Sequence, residues 1–494
     1  MATEYFDVLI IGAGLSGIGS ACHLKKQCPN KTFAILEGRD AIGGTWDLFR
    51  YPGIRSDSDM FTLGYEFKPW TNKKGIADGA DIRDYIREAA AEHNVVPHIR
   101  FGHKVKASRW NSERALWTIE AELADGTKKE YCANYVISCT GYYSYDEGFT
   151  PEFAGRDDYK GQVIHPQFWP EDLNYAGKKV VVIGSGATAV TLVPAMTDKA
   201  AHITMLQRSP SYVVSVPQQD PMVALLRKIL PEKWAYKVIR GRNISLTLAL
   251  YNFCKKFPNA ARKLLQWGVK SQLPGSYDMT HFTPKYAPWD ERLCAVPEGD
   301  MFKVLKQGKA SVVTDHIDRF VENGILLKSG KTLEADIIIT ATGLKVQMLG
   351  KMDVSLDGKP FVPSESMSYR GVMFENLPNM AMVFGYTNSS WTLKADLIGN
   401  WICRLLNHMD DKGVRQVTPR CNISNMKRVP FINMQSGYIA RIKDQLPTQG
   451  DTRPWKLYQN YFMDMTLLKM GSMEDPALEY TSPVVGSANA REAV

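Results

Sequence analysis

Two stretches of this chain share one grammar: an apolar strand, a turn closed by glycines, then a helix. They are "DVLIIGAGLSGIGSACHL", from Asp7 to Leu24, and "KKVVVIGSGATAVTLVPAM", from Lys178 to Met196. The three small residues of each turn have separate jobs. The first, Gly12 or Gly184, makes the tight turn. The second, Gly14 or Gly186, lets a pyrophosphate approach the backbone at the helix N-terminus, and the third, Gly17 or Ala189, lets helix pack on strand. A chain with two such units is expected to be α/β, with two Rossmann-like dinucleotide-binding domains that each carry a parallel sheet.

The strand after each turn separates the two sites. "KTFAILE" is a second strand ending in Glu37, whose carboxylate is placed to accept both ribose hydroxyl protons, so the first site suits a free ribose. "HITMLQRSP" ends instead in Arg208 and Ser209. A carboxylate there would repel a 2′-phosphate, whereas Arg208 pairs with it and Ser209 adds a hydroxyl donor, so the second site suits NADPH. Later segments return towards the first site. "ANYVISCTGYY" and "ADIIITATGLK" each run a buried strand into Thr-Gly, at Gly141 and Gly343, and "NMAMVFGYTN" brings Gly385 after another apolar strand. Glycine at such points lets a backbone approach a ligand closely. A first site completed by returning segments is expected to hold FAD.

The expected division is a FAD-binding domain beginning at 1–145 and an NADP-binding domain at 146–212 and 285–340, with a helical insertion at 213–284. The FAD-binding domain is completed by 341–478, and 479–494 reads as a flexible tail. Between the main signals, "DIRDYIREAAAEH" has Ile82, Tyr85, Ile86 and Ala89 on one helical face, and "ALWTIEA" alternates like a half-buried strand.

Composition excludes several classes. The chain has 494 residues and is 44% hydrophobic, an ordinary soluble composition, and no apolar run approaches the ~18 residues of a membrane span. The N-terminus has acidic residues where a signal peptide needs positive ones, so a cytoplasmic location is expected. The eight cysteines include no C-x-x-C pair, which argues against a disulfide reductase and against a metal site. The net charge of +8 is concentrated: 222–275 holds eleven Lys or Arg against Glu232, on amphipathic helices such as "MVALLRKILPEKWAYKVIRGRN". This is no nucleic-acid footprint. A solvated helix face is the reading favoured slightly over contact with cofactor phosphates or a weak contact with a membrane surface.

The linker between the two units carries a longer pattern. "YKGQVIHPQFWP" is similar to the F-x-G-x-x-x-H-x-x-x-W-P fingerprint of type I Baeyer-Villiger monooxygenases at Gly161, His165, Trp169 and Pro170, with Tyr159 in place of phenylalanine. "GGTWDLFRYPGIRSD" resembles the second signature of that family through Gly44, Trp46, Tyr51, Pro52, Gly53 and Asp57, with Thr45 inside it. From Asp7 to about Pro454 the chain resembles the ethionamide-activating branch, which "IHPQFWPEDL" and "GYTNSSWTLKADL" also carry.

That resemblance implies an FAD-containing, NADPH- and O₂-dependent enzyme that oxidises ketones to esters or lactones through a C4a-peroxyflavin, with sulfoxidation of thioethers or thioamides in the same site. It implies that Arg292, in "YAPWDERLCAVPEGD", is the cation beside activated oxygen, oriented by Asp57. Gly44, Thr45, Trp46 and Asp57 then join the FAD site. The chain departs from many relatives at Glu291, where they place a lysine that helps to hold the NADP phosphate, so NADPH preference rests on Arg208 and Ser209. His165 reads equally as a satisfied structural histidine and as a group tying the two domains together. An S- or N-oxygenase without ketone activity and a non-catalytic FAD- and NADPH-binding redox sensor remain as alternatives. Pocket walls are expected from 210–290 and from the loop Asn388–Trp391, with an apolar ketone or sulfide as substrate. Oligomeric state is not legible.

Overall fold

A computed structural model describes residues 3–432, 434 and 436–483. The first glycine unit is strand β1 (Glu4–Ile11), helix α1 (Leu15–Gln27) and strand β2 (Phe33–Leu36). β1 pairs in parallel with β2 on one side and with Lys128–Ser138 on the other, inside an eleven-stranded mixed sheet. Val8–Ile11 and all of β2 are buried, as continuous apolar strands covered on both faces must be. Leu116–Glu122 joins this sheet as the expected alternating strand, and the helix Gly79–Glu92 buries Ile82, Tyr85, Ile86 and Ala89.

The second unit repeats the arrangement with β3 (Lys179–Ile183), α2 (Ala187–Met196) and β4 (His202–Gln207). β3 lies between β4 and Ile337–Thr340 in a five-stranded sheet whose assigned pairings are all parallel. In each unit the first glycine has no alternative. Gly12 has φ +102° and a Cβ there would lie 2.7 Å from the Cys139 carbonyl oxygen; Gly184 has φ +137° and its Cβ would lie 2.3 Å from that of Ala341. The returning strands that end in Gly141 and Gly343 therefore occupy equivalent places, one in each sheet. The strand that leads to Gly343 thus belongs to the second sheet and not the first, while Gly343 itself lies beyond that strand and accepts from the Phe149 N–H of the segment leaving the first unit. The strand Ile337–Thr340 is held by β3, a pairing between distant segments.

Met380–Met382, which precedes Gly385, does return to the first sheet, parallel to Val136–Ser138. The first residues of the expected tail are part of a strand, because Leu478–Thr481 pairs antiparallel with Gln416–Pro419; residues 484–494 lie outside the described residues.

Residues 221–270 form three helices, α3 (Pro221–Ile229), α4 (Glu232–Lys256) and α5 (Pro258–Lys270). One of their basic residues faces inward. Arg240 is 6% exposed and donates to the carbonyl oxygens of Phe61 (2.8 Å) and Gly64 (2.7 Å), and its guanidinium lies 3.4 Å from the Asp396 carboxylate. α4 is thereby fastened to the body of the first unit. Among the described residues no helix is long and apolar enough to cross a membrane.

Candidate active site

The first glycine turn is a built cradle. Gly14 caps α1 without any side-chain hydrogen bond, which leaves the amides of the first turn available to an anion. Gly44, at φ +55°, packs against it: a Cβ on Gly44 would lie 3.0 Å from the Gly14 Cα and 3.2 Å from the Tyr145 hydroxyl. Glu37 is buried at the end of β2, where its carboxylate accepts from the Ala13 N–H (2.6 Å) and the Arg39 N–H (2.9 Å). Burial raises its pKa, and the two backbone donors oppose that shift. Thr45 and Trp46 are half-buried at the start of the short helix Thr45–Leu48 that Gly44 caps, and Gly141 leaves open space where a side chain would stand.

An aromatic chain leads from this turn to the predicted catalytic cation. Ser16 accepts from the Trp391 indole N–H (2.8 Å), and Trp391 stacks on Tyr142 with centroids 5.2 Å apart. Tyr142 and Tyr143 share a short hydroxyl–hydroxyl bond and, with Tyr438, lie close enough to Arg292 to act on it electrostatically. Gly385 belongs here for a different reason from the one expected. Its missing side chain makes room for the Trp391 ring, 2.4 Å from where a Cβ would be.

Arg292 is half-buried in the wall of a cavity of about 380 Å³. Both segments expected to wall a substrate pocket contribute: Val214 to Leu250 on one side, including α3 and α4, and Thr387–Ser390 on the other. Trp391 itself turns away towards Ser16. Burial opposes the charge of Arg292, but the three tyrosines and Asp57 outweigh it, and the guanidinium pKa rises. Its Nε is buried without a partner. Asp57 is exposed to the same cavity, where desolvation by the surrounding wall raises its carboxyl pKa against the pull of Arg292 and Arg55. The direct pair expected between Asp57 and Arg292 is not formed. Among the described residues no carboxylate lies within 4.0 Å of that guanidinium, so the two groups act on each other across the cavity.

The second turn also fits an anionic ligand. Gly186 caps α2 with no side-chain bond and with open space at its Cβ position, and Ala189 is fully buried at the helix–strand contact. Arg208 and Ser209 are exposed just after β4, and the Ser185 hydroxyl donates to the Ser209 carbonyl (3.0 Å). Glu291 stands close enough to Arg208 to act on it, while burial raises the Glu291 pKa.

The fingerprint residues pack the second unit. A Cβ on Gly161 would lie 2.2 Å from the Tyr159 hydroxyl and 2.5 Å from the Asp336 carbonyl oxygen. Trp169 packs with Tyr51 against the core of the second unit, and Pro170 is exposed beside it. His165 has both nitrogens engaged: Nε2 donates to the Gly343 carbonyl (3.1 Å), and Nδ1 accepts from the Gln167 N–H (3.2 Å). That arrangement requires the neutral ring, and burial lowers its pKa accordingly. The second signature bridges the units as well, because a Cβ on Gly53 would lie 2.5 Å from the Ala195 Cβ on α2.

Three groups carry no signal in the sequence. Asp47 is buried with Arg39 (2.8 Å), Arg50 (2.9 Å) and Arg87 (3.1 Å) around it. Lys394 and Asp464 form a buried pair at 2.9 Å next to Gly385. The Trp391–Tyr142 stack is the third. "TGYY" and "SSWTLKADL" are visible as motifs, but nothing in them says which partner each ring meets.

Comparison with known proteins adds to this geometry. A family model described as pyridine nucleotide-disulphide oxidoreductase matches residues 9–236. That stretch contains both glycine turns. The FAD-containing monooxygenase EthA of Mycolicibacterium smegmatis is 52% identical over 481 residues, covering 97% of this chain and 98% of the relative. That of Mycobacterium tuberculosis is 49% identical over 480 residues, with the same coverage. Among solved structures, an oxidized steroid monooxygenase bound to NADP superposes with a TM-score of 0.76 over 97% of this chain and 100% of the other, at 19% identity.

Proposed function

The chain belongs to the FAD-containing monooxygenases, and on that premise we propose that it is an NADPH- and O₂-dependent Baeyer-Villiger enzyme, oxidising apolar ketones to esters or lactones and thioethers or thioamides to S-oxides. The observation that carries this reading is the cavity of about 380 Å³ with Arg292 in its wall, a buried guanidinium nitrogen without a partner, and Asp57 across from it.

Each cradle has residues suited to one cofactor. Gly12, Gly14, Gly17, Glu37, Gly44, Thr45, Trp46, Asp57, Gly141 and Gly385 are assigned to FAD; Gly184, Gly186, Ala189, Arg208 and Ser209 to NADPH, with Gly343 at the junction of the two units. The domain division at 146–212 and 285–340 follows from the same assignment. Bound FAD, reduced by NADPH, supplies the activation of O₂.

The chain's own residues do the rest. Arg292 is proposed as the catalytic cation that neutralises negative charge developing on substrate oxygen; its charge is permanent, and the low dielectric of the wall strengthens its effect. Asp57, which lines the same cavity without touching the guanidinium, partly balances its charge. The Tyr142–Trp391 stack shields the site from water on the side of the first glycine turn. His165 ties the end of its strand to Gly343, beyond the end of the neighbouring strand in the second sheet.

Product analysis by mass spectrometry over linear ketones, cyclic ketones and aryl sulfides tests this. Esters or lactones with NADPH and O₂ consumption are expected, and Arg292→Ala should lower product formation by roughly 10²- to 10³-fold with FAD still bound. Sulfoxides alone would reduce the proposal to S-oxygenation. NADPH oxidation that no substrate stimulates would remove it. A weak contact of 222–275 with a membrane surface is also proposed.

A further inference from the structure

The outward faces of α3, α4 and α5 are apolar where solvated helices are normally polar. Leu225 and Ile229 on α3, Trp234 and Val238 on α4, and Leu264 and Trp267 on α5 are all exposed, with Ile229 and Trp267 at 67%. α3 packs on α4 and α4 on α5, so these residues belong to one continuous helical layer. Single exposed hydrophobics need no explanation, but a cluster of this size marks an interaction surface.

Lysines are threaded through the patch. Lys228, Lys233, Lys237, Lys256 and Lys263 are exposed, and 222–275 carries eleven Lys or Arg against one acid. Two of these lysines ride over exposed rings: the Lys237 ammonium is 5.3 Å from the Trp234 ring centroid, and that of Lys256 is 5.6 Å from Phe257. Aromatic rings beside lysines on amphipathic helices match the boundary between acyl chains and headgroups, where one end of each side chain is apolar and the other wet. A second copy of the chain fits poorly here, since a self-complementary contact would set two strongly positive faces against each other. An anionic bilayer complements both the charge and the apolar rings.

The same helices wall the cavity. Leu246 and Leu250 of α4 line it and are themselves 59% and 37% exposed, so the cavity reaches the surface along α4 beside the patch. We infer that the α3–α5 layer docks on anionic bilayers without spanning them, and that apolar substrate passes from the bilayer into the cavity along the Leu246–Leu250 edge. The second half of this inference rests on the ketone and sulfide reading of the same cavity.

Flotation of the purified holoenzyme with vesicles of phosphatidylcholine, alone or mixed with phosphatidylglycerol, tests the docking. Binding to the mixed vesicles is expected, with weak binding to phosphatidylcholine alone. Each surface lysine contributes about fivefold in partitioning, so the triple variant Lys228→Gln, Lys233→Gln, Lys237→Gln should bind the mixed vesicles roughly 100-fold less. The double variant Trp234→Ser, Trp267→Ser should lose binding to both, with FAD content confirming that each variant is folded.

Turnover then separates the two halves. With a short-chain ketone in solution the triple variant should match the parent enzyme; with a long-chain ketone dissolved in mixed vesicles it should fall in step with binding. No flotation of the parent enzyme, or undiminished flotation of the triple variant, overturns the docking. Sedimentation showing a dimer that the tryptophan variant dissociates, without vesicle binding, gives the surface to a second copy and also overturns it. Equal turnover of vesicle-borne ketone by parent and triple variant overturns uptake from the bilayer. Docking without turnover of any ketone or sulfide refutes the oxygenation reading and leaves the docking intact.

Discussion

Replacing Arg240 by methionine should release α4 from the body of the protein, and the size of the effect can be worked from its partners. The guanidinium donates to the carbonyl oxygens of Phe61 at 2.8 Å and Gly64 at 2.7 Å, and more weakly to Thr62 at 3.4 Å, and it lies 3.4 Å from Asp396. Methionine has similar bulk and none of these bonds. Removing one partner of a buried pair typically costs about 3–5 kcal/mol, because the other is left charged in a poor solvent. Asp396 keeps the Glu66 N–H at 2.8 Å and His23 at 3.2 Å, which places the cost at the lower end, about 3 kcal/mol.

At about 1.4 kcal/mol per tenfold, the population with α4 detached rises by roughly 100-fold. Hydrogen exchange followed by mass spectrometry reads that population directly when reclosing is fast, and peptides covering Ile239–Leu248 should exchange about 100-fold faster. A melting temperature is the wrong observable, since a chain with two nucleotide-binding units is not expected to unfold in one step. Lys237→Met, on the exposed face of the same helix, is the control and should change exchange less than about threefold. If Arg240→Met changes exchange no more than that control, the buried guanidinium does not hold the insertion.

Other substitutions test the two cradles and the linker. Arg208→Ala should raise the KM for NADPH by about 10- to 100-fold, the worth of one charge-assisted phosphate contact, and leave the KM for NADH nearly unchanged; equal effects on both would cancel the assignment. Glu291→Gln should lower the KM for NADPH severalfold by freeing Arg208 from a neighbouring carboxylate, and a rise would show that Glu291 helps the cofactor instead. His165 titrates lower in the folded protein than in the unfolded chain, so the folded form binds fewer protons. Its contribution is complete above the unfolded pKa of about 6.5 and is lost as pH falls below that value towards the lowered folded one. Thermal inactivation of the parent should therefore accelerate, as pH falls below about 6.5, more than that of His165→Asn; identical pH profiles would show that the ring does not sense protonation.

The local features of this protein are legible because their causes are local. A tight turn that excludes every side chain reads as glycine wherever it occurs, and an apolar run ahead of it reads as a buried strand, so both nucleotide units can be read from Gly12 to Gly17 and Gly184 to Ala189. The alternation in 116–122 and the stripe in 79–92 are readable on the same ground. Residues that take their meaning from distant partners are not. The motif at Gly343 resembles that at Gly141 and so points to the first unit, and only pairing with β3 puts the strand that leads to it in the second. Arg240 counts in the sequence as one more positive charge on a basic helix; three carbonyls from 61–64 and a carboxylate at 396 make it a fastening.

Arg292 lies between these extremes, since a family pattern nominates it while only the folded chain sets it in the cavity wall with Asp57 beyond pairing distance. Sequence by itself determined the two glycine turns, because backbone sterics act over a few residues. Tertiary structure alone decided which charges are buried and which face the cavity, because desolvation depends on atoms brought together from hundreds of residues away.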